Sequence, residues 1–304
     1  MSKILTVDIG NSNIVAGVWE EGMLLEKCRF PTRKNYTEID IENAFIQGFK
    51  GADVRDCRGA VLSSVVPEIT NETLLALQSV TGKNALLISS DIDTGIDVSM
   101  YGTQGEDGPN PGKTSLGTDR IIDLAAASAI FHSAVMVCDL GTCTTITVMD
   151  DRARVVGGMI CPGIQLSLDA EAERASQLPK LDAYELLGSL ANGGAEANSP
   201  GLLGTDTTGN MLSGAVVGTA IMIDGLAKRI AASDFYTEDY TGMKKTDRSH
   251  LQNLKLVITG GLGRLVMPWI SFKADYEPDL LLRGLYEVYL RNLSDNRSNP
   301  LYHI

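Results

Sequence analysis

Two short stretches of the chain share the pattern Asp-x-Gly-[Asn/Thr], and each has the residue types needed to hold a phosphate group. The first is Val7–Asn13, and the second, 131 positions later, is Cys138–Thr144. Glycine lets the backbone come close to a ligand, and successive N–H groups in such a turn form a concave site for anions. The carboxylates of Asp8 and Asp139 would repel a phosphate unless a cation lay between, and hard cations take oxygen ligands. The pair therefore predicts two phosphate-binding loops that work with metal ions.

The same residue types also mark ordinary hairpin turns, so one copy alone would be a weak indication. The surroundings of the two copies match, however. Each copy follows an apolar run, Ile4–Val7 or Ala134–Cys138, and each leads into a second run, Ile14–Val18 or Thr145–Met149. This repetition favours a duplicated β-hairpin with tips of equal length.

Composition excludes several classes of protein. The 304 residues are 44% hydrophobic and 21% charged, which suits two packed domains and argues against disorder. The net charge of −12 argues against nucleic acid or an anionic membrane as the main partner. The chain has five cysteines and no Cys-x-x-Cys pair, which indicates reduced thiols. Its first residues show no signal-peptide pattern, so we expect a cytoplasmic protein.

Strand and helix patterns alternate on both sides of a linker-like segment. In the first half, apolar runs typical of strands alternate with helices that begin near Thr37 and Thr70. The segment Tyr101–Lys113 is rich in glycine, proline and asparagine, which predicts a loop. The second half repeats the three-strand start and adds a long apolar helix over Met211–Ala232 and a closing helix over Asp279–Asn292. This alternation predicts an α/β fold with two similar halves.

Seven phrases of the sequence resemble one family, the type III pantothenate kinases, and they follow that family's order along nearly the whole chain. They are Asp8-x-Gly10-Asn11-Ser12, Ser64-Val65-Val66-Pro67, Gly117-Thr118-Asp119-Arg120, Asp139-x-Gly141-Thr142 with Thr145, Gly157-Gly158-x-Ile160-x-Pro162-Gly163, Thr259-Gly260-Gly261, and the tail from Pro278 to Leu285. The two Asp-x-Gly tips are also similar to those of the wider superfamily of acetate and sugar kinases, heat-shock chaperones and actin.

The resemblance implies both a fold and a reaction. The fold is α/β, with two duplicated ribonuclease H-like (actin-like ATPase) domains, each a mixed sheet of β-β-β-α-β-α-β type flanked by helices. We expect the domains at 1–116 and 117–304, with the closing helix able to pack back on the first. The reaction transfers the γ-phosphoryl group of ATP to the primary hydroxyl of pantothenate, which begins coenzyme A synthesis. The implied enzyme is a cytoplasmic homodimer that needs Mg²⁺ and a monovalent cation, K⁺ or NH₄⁺.

The resemblance also implies a role for individual residues. Asp119 would be the catalytic base, and Arg120 would hold the pantothenate carboxylate or the transferred phosphate. Asp8 would bind Mg²⁺, through water, and Asp139 would bind the monovalent cation. The expected ATP contacts are Asp8, Ile9, Gly10, Asn11, Ser12, Asn13, Ile14, Val15, Thr142 and Gly260, and the expected substrate contacts are Tyr101, Gly117, Thr118, Asp119, Arg120 and Thr207.

Several of these assignments have a simpler alternative. Asp119 could serve as a helix cap and nothing more, with Arg120 as a solvated charge. Asp139 could bind a second Mg²⁺ through water and not a monovalent cation. Gly260 could only form a tight turn after a strand. Extra length at Gly102–Asn110 separates Tyr101 from Gly117, and a second apparent insertion covers Tyr240–Asn253. Two other functions also fit the superfamily, namely a kinase or phosphatase for another substrate and a regulatory protein. The chain keeps the four charged site residues, Asp8, Asp119, Arg120 and Asp139, which favours a working enzyme.

Overall fold

The computed structural model of the chain consists of two compact units, each built around a five-stranded sheet. The described residues of the first unit come from 3–96, 116–129 and 280–295, and those of the second come from 97–114 and 130–279. In full, the structure describes residues 3–89, 91–99, 101–105, 108–114, 116–191, 200–232 and 248–295.

The first unit opens with three strands and then alternates helix and strand. Its elements are β1 (Lys3–Ile9), β2 (Asn13–Glu20), β3 (Met23–Pro31), α1 (Glu38–Gly48), β4 (Cys57–Ser64), α2 (Pro67–Thr81) and β5 (Leu86–Leu87). The sheet order is β3-β2-β1-β4-β5. The pairs among β1, β4 and β5 are parallel, and β2 is antiparallel to both of its neighbours. The predicted β-β-β-α-β-α-β order is confirmed for this half.

Local sequence signals explain where the two helices begin and end. Thr37 caps α1 and forms a capping box with Asp40, because each side chain accepts the backbone N–H of the other residue. Pro67 opens α2 at a position where its missing N–H leaves no hydrogen bond unmade. Gly82 ends α2 in the left-handed conformation. These signals leave the apolar side of each helix, such as Ile41 of α1, to pack in the core.

A two-stranded antiparallel ribbon follows, formed by β6 (Gly102–Gly105) and β7 (Gly108–Thr114), and then α3 (Thr118–Phe131) begins. The prediction of a loop over Tyr101–Lys113 was wrong for these strands. The composition of this segment gives no indication of strands, because strand pairing uses backbone groups and needs no pattern of apolar residues. Residues 106–107 at its turn lie outside the described residues.

The second unit repeats the topology of the first. Its elements are β8 (Val135–Leu140), β9 (Cys143–Met149), β10 (Val155–Pro162), α4 (Ile164–Arg174), α5 (Ala183–Ala191), α6 (Thr207–Leu212), α7 (Gly218–Ala231), β11 (Lys255–Thr259), α8 (Gly263–Val266) and β12 (Ala274–Tyr276). The sheet order, β10-β9-β8-β11-β12, is that of the first sheet with each strand replaced by its counterpart. The predicted duplication is therefore confirmed. The chain described by the structure closes with α9 (Leu280–Asp295).

The two hairpin tips differ in length, although the sequence repeat suggested that they were equal. In the first hairpin Ile9 pairs with Ile14, and residues 10–12 lie between the strands. In the second Leu140 pairs with Thr144, and only residues 141–142 lie between. The expectation of equal tips was wrong by one residue. The two copies stay 131 positions apart as far as the glycine of each tip, and after it the second tip is one residue shorter.

Helices α3 and α9 pack together in the first unit. Ile122 of α3 and Leu285 of α9 share a buried cluster with Trp19 and Val61 of the first sheet. The fit is close at Gly284, where an added β-carbon would overlap the carbonyl oxygen of Ile122. The predicted domain boundary after residue 116 stays a prediction, and in the structure this packing groups α9 and most of α3 with the first sheet.

One helix of the described chain is long and apolar enough to cross a membrane by length and composition alone. It runs over Thr207–Ala231, with a π-helical turn at Ser213–Val217 between α6 and α7. Its residues Ile223, Ala227 and Ile230 are buried in the core of the second unit. A core helix of a soluble protein passes the same test, so this is a weak indication of a membrane span. In the apparent insertion at Tyr240–Asn253, residues 240–247 lie outside the described residues.

Asp224 of α7 ties that helix to the segment before β12. Its carboxylate accepts hydrogen bonds from Lys228, from the backbone N–H and hydroxyl of Ser271, and from the backbone N–H of Phe272 at 2.6 Å. Desolvation opposes ionisation of this carboxyl, but the hydrogen bonds outweigh it and lower the pKa from 3.8 to about 2. Because the folded pKa lies below the unfolded one, this group stabilises the fold above about pH 4.

We expect Asp224→Ala to lower the free energy of unfolding by about 2 kcal/mol at pH 7, because it leaves two backbone N–H groups without their acceptor. The loss should shrink as the pH falls from 4 towards 2, where the wild-type carboxylate is itself protonated. Urea unfolding at pH 7 and pH 3 measures both values. A loss that is the same at the two pH values would contradict the charge-based explanation.

Candidate functional site

Three hydrogen bonds hold the first tip, residues 10–12, in place. The N–H of Gly10 donates to the carbonyl of Asn13 at 3.0 Å. Thr32, which follows β3, donates its hydroxyl to the carbonyl of Gly10 at 2.7 Å and its N–H to the carbonyl of Ser12 at 3.0 Å. Asn11 and Ser12 are exposed at the end of the tip. The tip therefore presents exposed backbone and polar side chains from a well-anchored turn.

Asp8 lies on β1 immediately before this tip and is half-buried. A β-carbon added at Gly10 would come within 4.0 Å of Oδ2 of Asp8, so the carboxylate lies next to the turn. The side chains of Ile9 and Ile14 are fully buried in the core. Any contact of these two residues with ATP would therefore use their backbone, while Val15 is half-buried opposite Asp8 on β2.

The phrase Gly117–Arg120 forms the start of α3. The N–H of Ile121 donates to the carbonyl of Gly117, so the helix begins before Asp119 and Asp119 is in its first turn. Oδ1 of Asp119 accepts the N–H of Arg120 at 2.9 Å. Arg120 is only 6% exposed, so the alternative of a solvated charge is wrong. Asp119 lies inside the first turn and not at the N-cap position, although its carboxylate still accepts an N–H of that turn.

Gly117 limits where the Asp119 carboxylate can lie. A β-carbon added at Gly117 would overlap Oδ1 of Asp119. Only glycine at this position leaves that oxygen its place against the N–H of Arg120. Gly117 and Thr118 are exposed or half-buried beside the carboxylate. The start of α3 thus offers a carboxylate in a defined orientation, followed by a buried guanidinium.

The second tip carries Thr142, and at its base Gly260 lies against Asp139. The N–H of Gly141 donates to the carbonyl of Cys143 at 3.2 Å, and the N–H of Gly163 donates to the carbonyl of Thr142 at 3.1 Å. Gly260 follows β11 with a φ of +87°, and a β-carbon there would overlap Oδ1 of Asp139. Gly260 therefore does more than turn the chain, since its backbone packs directly on the carboxylate. Thr142 is exposed at the tip.

Each tip offers a single carboxylate to a metal ion. In the part of the chain that the structure describes, no group of three or more His, Cys, Asp or Glu residues could hold a metal. Mg²⁺ commonly binds through one or two carboxylates and completes its shell with water and substrate phosphates. Asp8, next to a turn suited to phosphate, fits that mode of binding.

The two remaining predicted substrate contacts lie in the second unit. Tyr101 is half-buried, and its N–H donates to the carbonyl of Val98 at 2.8 Å just before the ribbon. Thr207 is the exposed first residue of α6, which Asp206 caps by accepting the N–H of Gly209 at 2.7 Å. Their contacts with a substrate stay predictions. The residue that sequence reasoning missed is Thr32, whose signal is its place directly after the third strand, beside the tip.

The duplicated sheets, each with an Asp-x-Gly tip between its first two strands, define an α/β protein of the duplicated ribonuclease H-like (actin-like ATPase) fold. The sequence pattern of type III pantothenate kinases matches residues 4–229. A type III pantothenate kinase of Listeria welshimeri serovar 6b is 30% identical over 291 residues, which cover 95% of this chain and 97% of that protein. The chain belongs to the type III pantothenate kinase family.

A solved structure shows the same fold. It is a conserved protein from Campylobacter jejuni assigned to the Baf family of transcriptional activators, with a TM-score of 0.53 and 18% identity. The match covers 95% of this chain and 99% of that one. At this identity the likeness concerns the fold alone.

Proposed function

We propose that this chain is an ATP-dependent pantothenate kinase, which transfers the γ-phosphoryl group of ATP to the primary hydroxyl of pantothenate and forms 4'-phosphopantothenate. Family membership supports the substrate. The observation that supports phosphate handling is the first tip, where the Asp8 carboxylate lies beside exposed Asn11 and Ser12 in a hydrogen-bonded turn. Phosphoryl transfer depends mainly on positioning and on neutralising charge, and this arrangement can supply both.

In this proposal the first unit carries the groups nearest the chemistry. The tip from Gly10 to Asn13 binds the ATP phosphates through backbone N–H groups and short polar side chains. Asp8 would hold Mg²⁺ through water, and the ion would neutralise charge on the phosphates. Asp119 accepts the proton of the pantothenate hydroxyl, and a weak base suffices because the proton leaves late in a loose transition state. Arg120 would bind the substrate carboxylate or the transferred phosphate through its planar guanidinium.

The second unit supplies the supporting groups in this proposal. Asp139 would hold K⁺ or NH₄⁺, and Gly260 keeps its carboxylate in place by direct contact. Thr142 and Gly260 would contact ATP, while Tyr101 and Thr207 would contact pantothenate. The enzyme would work in the cytoplasm, where its five free cysteines stay reduced.

The test is ADP release by the purified protein with ATP, Mg²⁺ and pantothenate, measured in K⁺ and again in Na⁺. We expect turnover that requires pantothenate and is faster in K⁺ than in Na⁺. ATP turnover that is indifferent to pantothenate would indicate another acceptor for the phosphoryl group. A folded protein without any ATP turnover would favour a regulatory role and overturn the proposal.

We also propose that the chain forms a homodimer through the exposed side of the continuous helix over Thr207–Ala231. Gly214, Gly218 and Gly225 have no described atom within 4 Å of an added β-carbon, and Ile221, on the same side of the helix, is 54% exposed. Ile160, on the edge strand β10 of the same unit, is 67% exposed. A glycine-spaced apolar surface allows a second copy of the helix to approach closely.

Ile221→Glu should convert the dimer into a monomer, because it would bury a charge against the partner's apolar surface. Light scattering after gel filtration measures the mass. Ile39→Glu is the matched control, since Ile39 is an isoleucine on α1 of the first unit that is 68% exposed, against 54% for Ile221, and its replacement should leave the dimer intact. A monomeric wild-type protein, or an Ile221→Glu variant that stays dimeric, would contradict this surface.

A further inference from the structure

Thr32 contacts the first tip in two places, with two different groups. Its hydroxyl donates to the carbonyl of Gly10, and its backbone N–H donates to the carbonyl of Ser12. These bonds reach two of the three residues that separate β1 from β2. Thr32 itself follows Pro31, the last residue of β3, so its position is set by the pairing of Pro31 with Asn13. The end of the third strand thus supports the tip.

This support determines where the N–H groups of the tip point. All described peptide bonds are trans, and in a trans peptide the carbonyl and the N–H point in opposite directions. Holding the carbonyl of Gly10 against Thr32 therefore directs the N–H of Asn11, an exposed residue, away from Thr32. Among the residues that the structure describes, no backbone carbonyl accepts the N–H of Asn11 or Ser12. These are the donors that a bound phosphate would use.

The second half of the molecule has a comparable contact without the side chain. Gly163 follows Pro162, the last residue of β10, and its N–H donates to the carbonyl of Thr142. A β-carbon at Gly163 would overlap the carbonyl oxygens of Gly141 and Thr142. At the second tip the strand end is too close for any side chain. At the first, where the tip is one residue longer, a threonine fits and its hydroxyl fixes the glycine carbonyl.

We propose that Thr32 is a positioning residue for ATP, whose hydroxyl holds the Gly10–Asn11 peptide in the orientation that presents its N–H to a phosphate. The inference rests on the proposed function in so far as ATP binds at this tip. Thr32 does not touch the nucleotide in this account. Its hydroxyl affects the free energy of phosphate binding, because without it the Gly10–Asn11 peptide would rotate in the unbound protein.

The experiment measures binding of Mg²⁺-ATP to the full-length protein by calorimetry without pantothenate. Thr32→Val keeps the shape but removes the hydroxyl, and we expect its Kd for ATP to rise about tenfold, the size of effect of one well-directed hydrogen bond to a charged group. Thr32→Ser keeps the hydroxyl and should bind ATP almost as the wild type does. In steady-state kinetics the KM for ATP should rise in Thr32→Val, while kcat and the KM for pantothenate stay close to wild type.

Thr73→Val is the matched control, because Thr73 also donates its hydroxyl to a backbone carbonyl, that of Ile69 at 2.8 Å, but inside α2. It should change the melting temperature and leave the Kd for ATP unchanged. The inference is overturned if Thr32→Val binds ATP like the wild type, if Thr73→Val weakens binding equally, or if Thr32→Val is unfolded at the assay temperature. A wild type that does not bind ATP overturns this inference and the proposed function together. A wild type that binds ATP without pantothenate-dependent ADP release overturns only the choice of substrate.

Discussion

Asp119→Asn is expected to lower kcat for pantothenate phosphorylation by about 10²–10⁴-fold, the usual contribution of a general base. The substitution removes the ability to accept a proton and little else. The amide oxygen of asparagine can accept the N–H of Arg120 as Oδ1 of Asp119 does at 2.9 Å. We therefore expect an unchanged melting temperature and an unchanged Kd for Mg²⁺-ATP, so that the loss appears in kcat alone.

Steady-state kinetics with pantothenate, together with thermal unfolding and calorimetry, separates these quantities. A drop in melting temperature in parallel with the loss of turnover would indicate that the carboxylate mainly supports the start of α3. Turnover close to that of the wild type would remove Asp119 from the role of base and direct attention to another group for the hydroxyl proton.

Gly117→Ala is expected to lower kcat by about 10–100-fold, because a methyl group at this position displaces the Asp119 carboxylate and small misplacements of a reacting group are costly. The added β-carbon would overlap Oδ1, so the side chain must turn away from the N–H of Arg120. Gly117 does not have a positive φ, so alanine introduces no backbone strain there. The fold should lose only about 1 kcal/mol of stability, because the displaced carboxylate gives up one hydrogen bond at the start of α3 while alanine restricts the unfolded chain.

Gly188→Ala makes the same chemical change in α5, where an added β-carbon meets no described atom within 4 Å, and it should leave kcat unchanged. The double variant Gly117→Ala with Asp119→Asn gives a sharper test. If Gly117 acts only through the Asp119 carboxylate, Gly117→Ala should lower kcat little further once that carboxylate has become an amide. Losses that multiply in the double variant would mean that Gly117 contributes by another route, such as direct contact with the substrate.

The sequence was sufficient to predict the order of strands and helices that opens each half, because the information is local and repeated. Each half places an apolar run, an Asp-x-Gly turn and a second apolar run in succession, and such a pattern forms a hairpin whatever surrounds it. The capping box at Thr37 and the glycine at Gly82 likewise act through neighbours within a few residues. The two tips and the start of α3, which carry most of the candidate site, could therefore be located from sequence patterns alone.

Features that depend on contacts between distant segments could not be predicted. The bond from Thr32 to Gly10 joins residues that follow different strands, β3 and β1, and it forms because the register of β2 and β3 brings them together. The burial of Arg120 and the packing of α9 beside α3 depend on tertiary packing that no local pattern records. The β6–β7 ribbon lacks the alternation of apolar residues by which strands are recognised.

The one-residue difference between the tips has a consequence for how the two halves can evolve. After the shorter tip, Ile146 and Val148 of β9 face the core, as Ala16 and Val18 do on β2 after the longer one. Side chains alternate along a strand, so a residue inserted at the second tip must be absorbed within the turn or it would turn Ile146 and Val148 outward. Gly163 already packs against the carbonyl oxygens of Gly141 and Thr142, so an inserted residue would have to bulge away from it. The shorter tip is thus tied both to the alternation of β9 and to the glycine that follows β10.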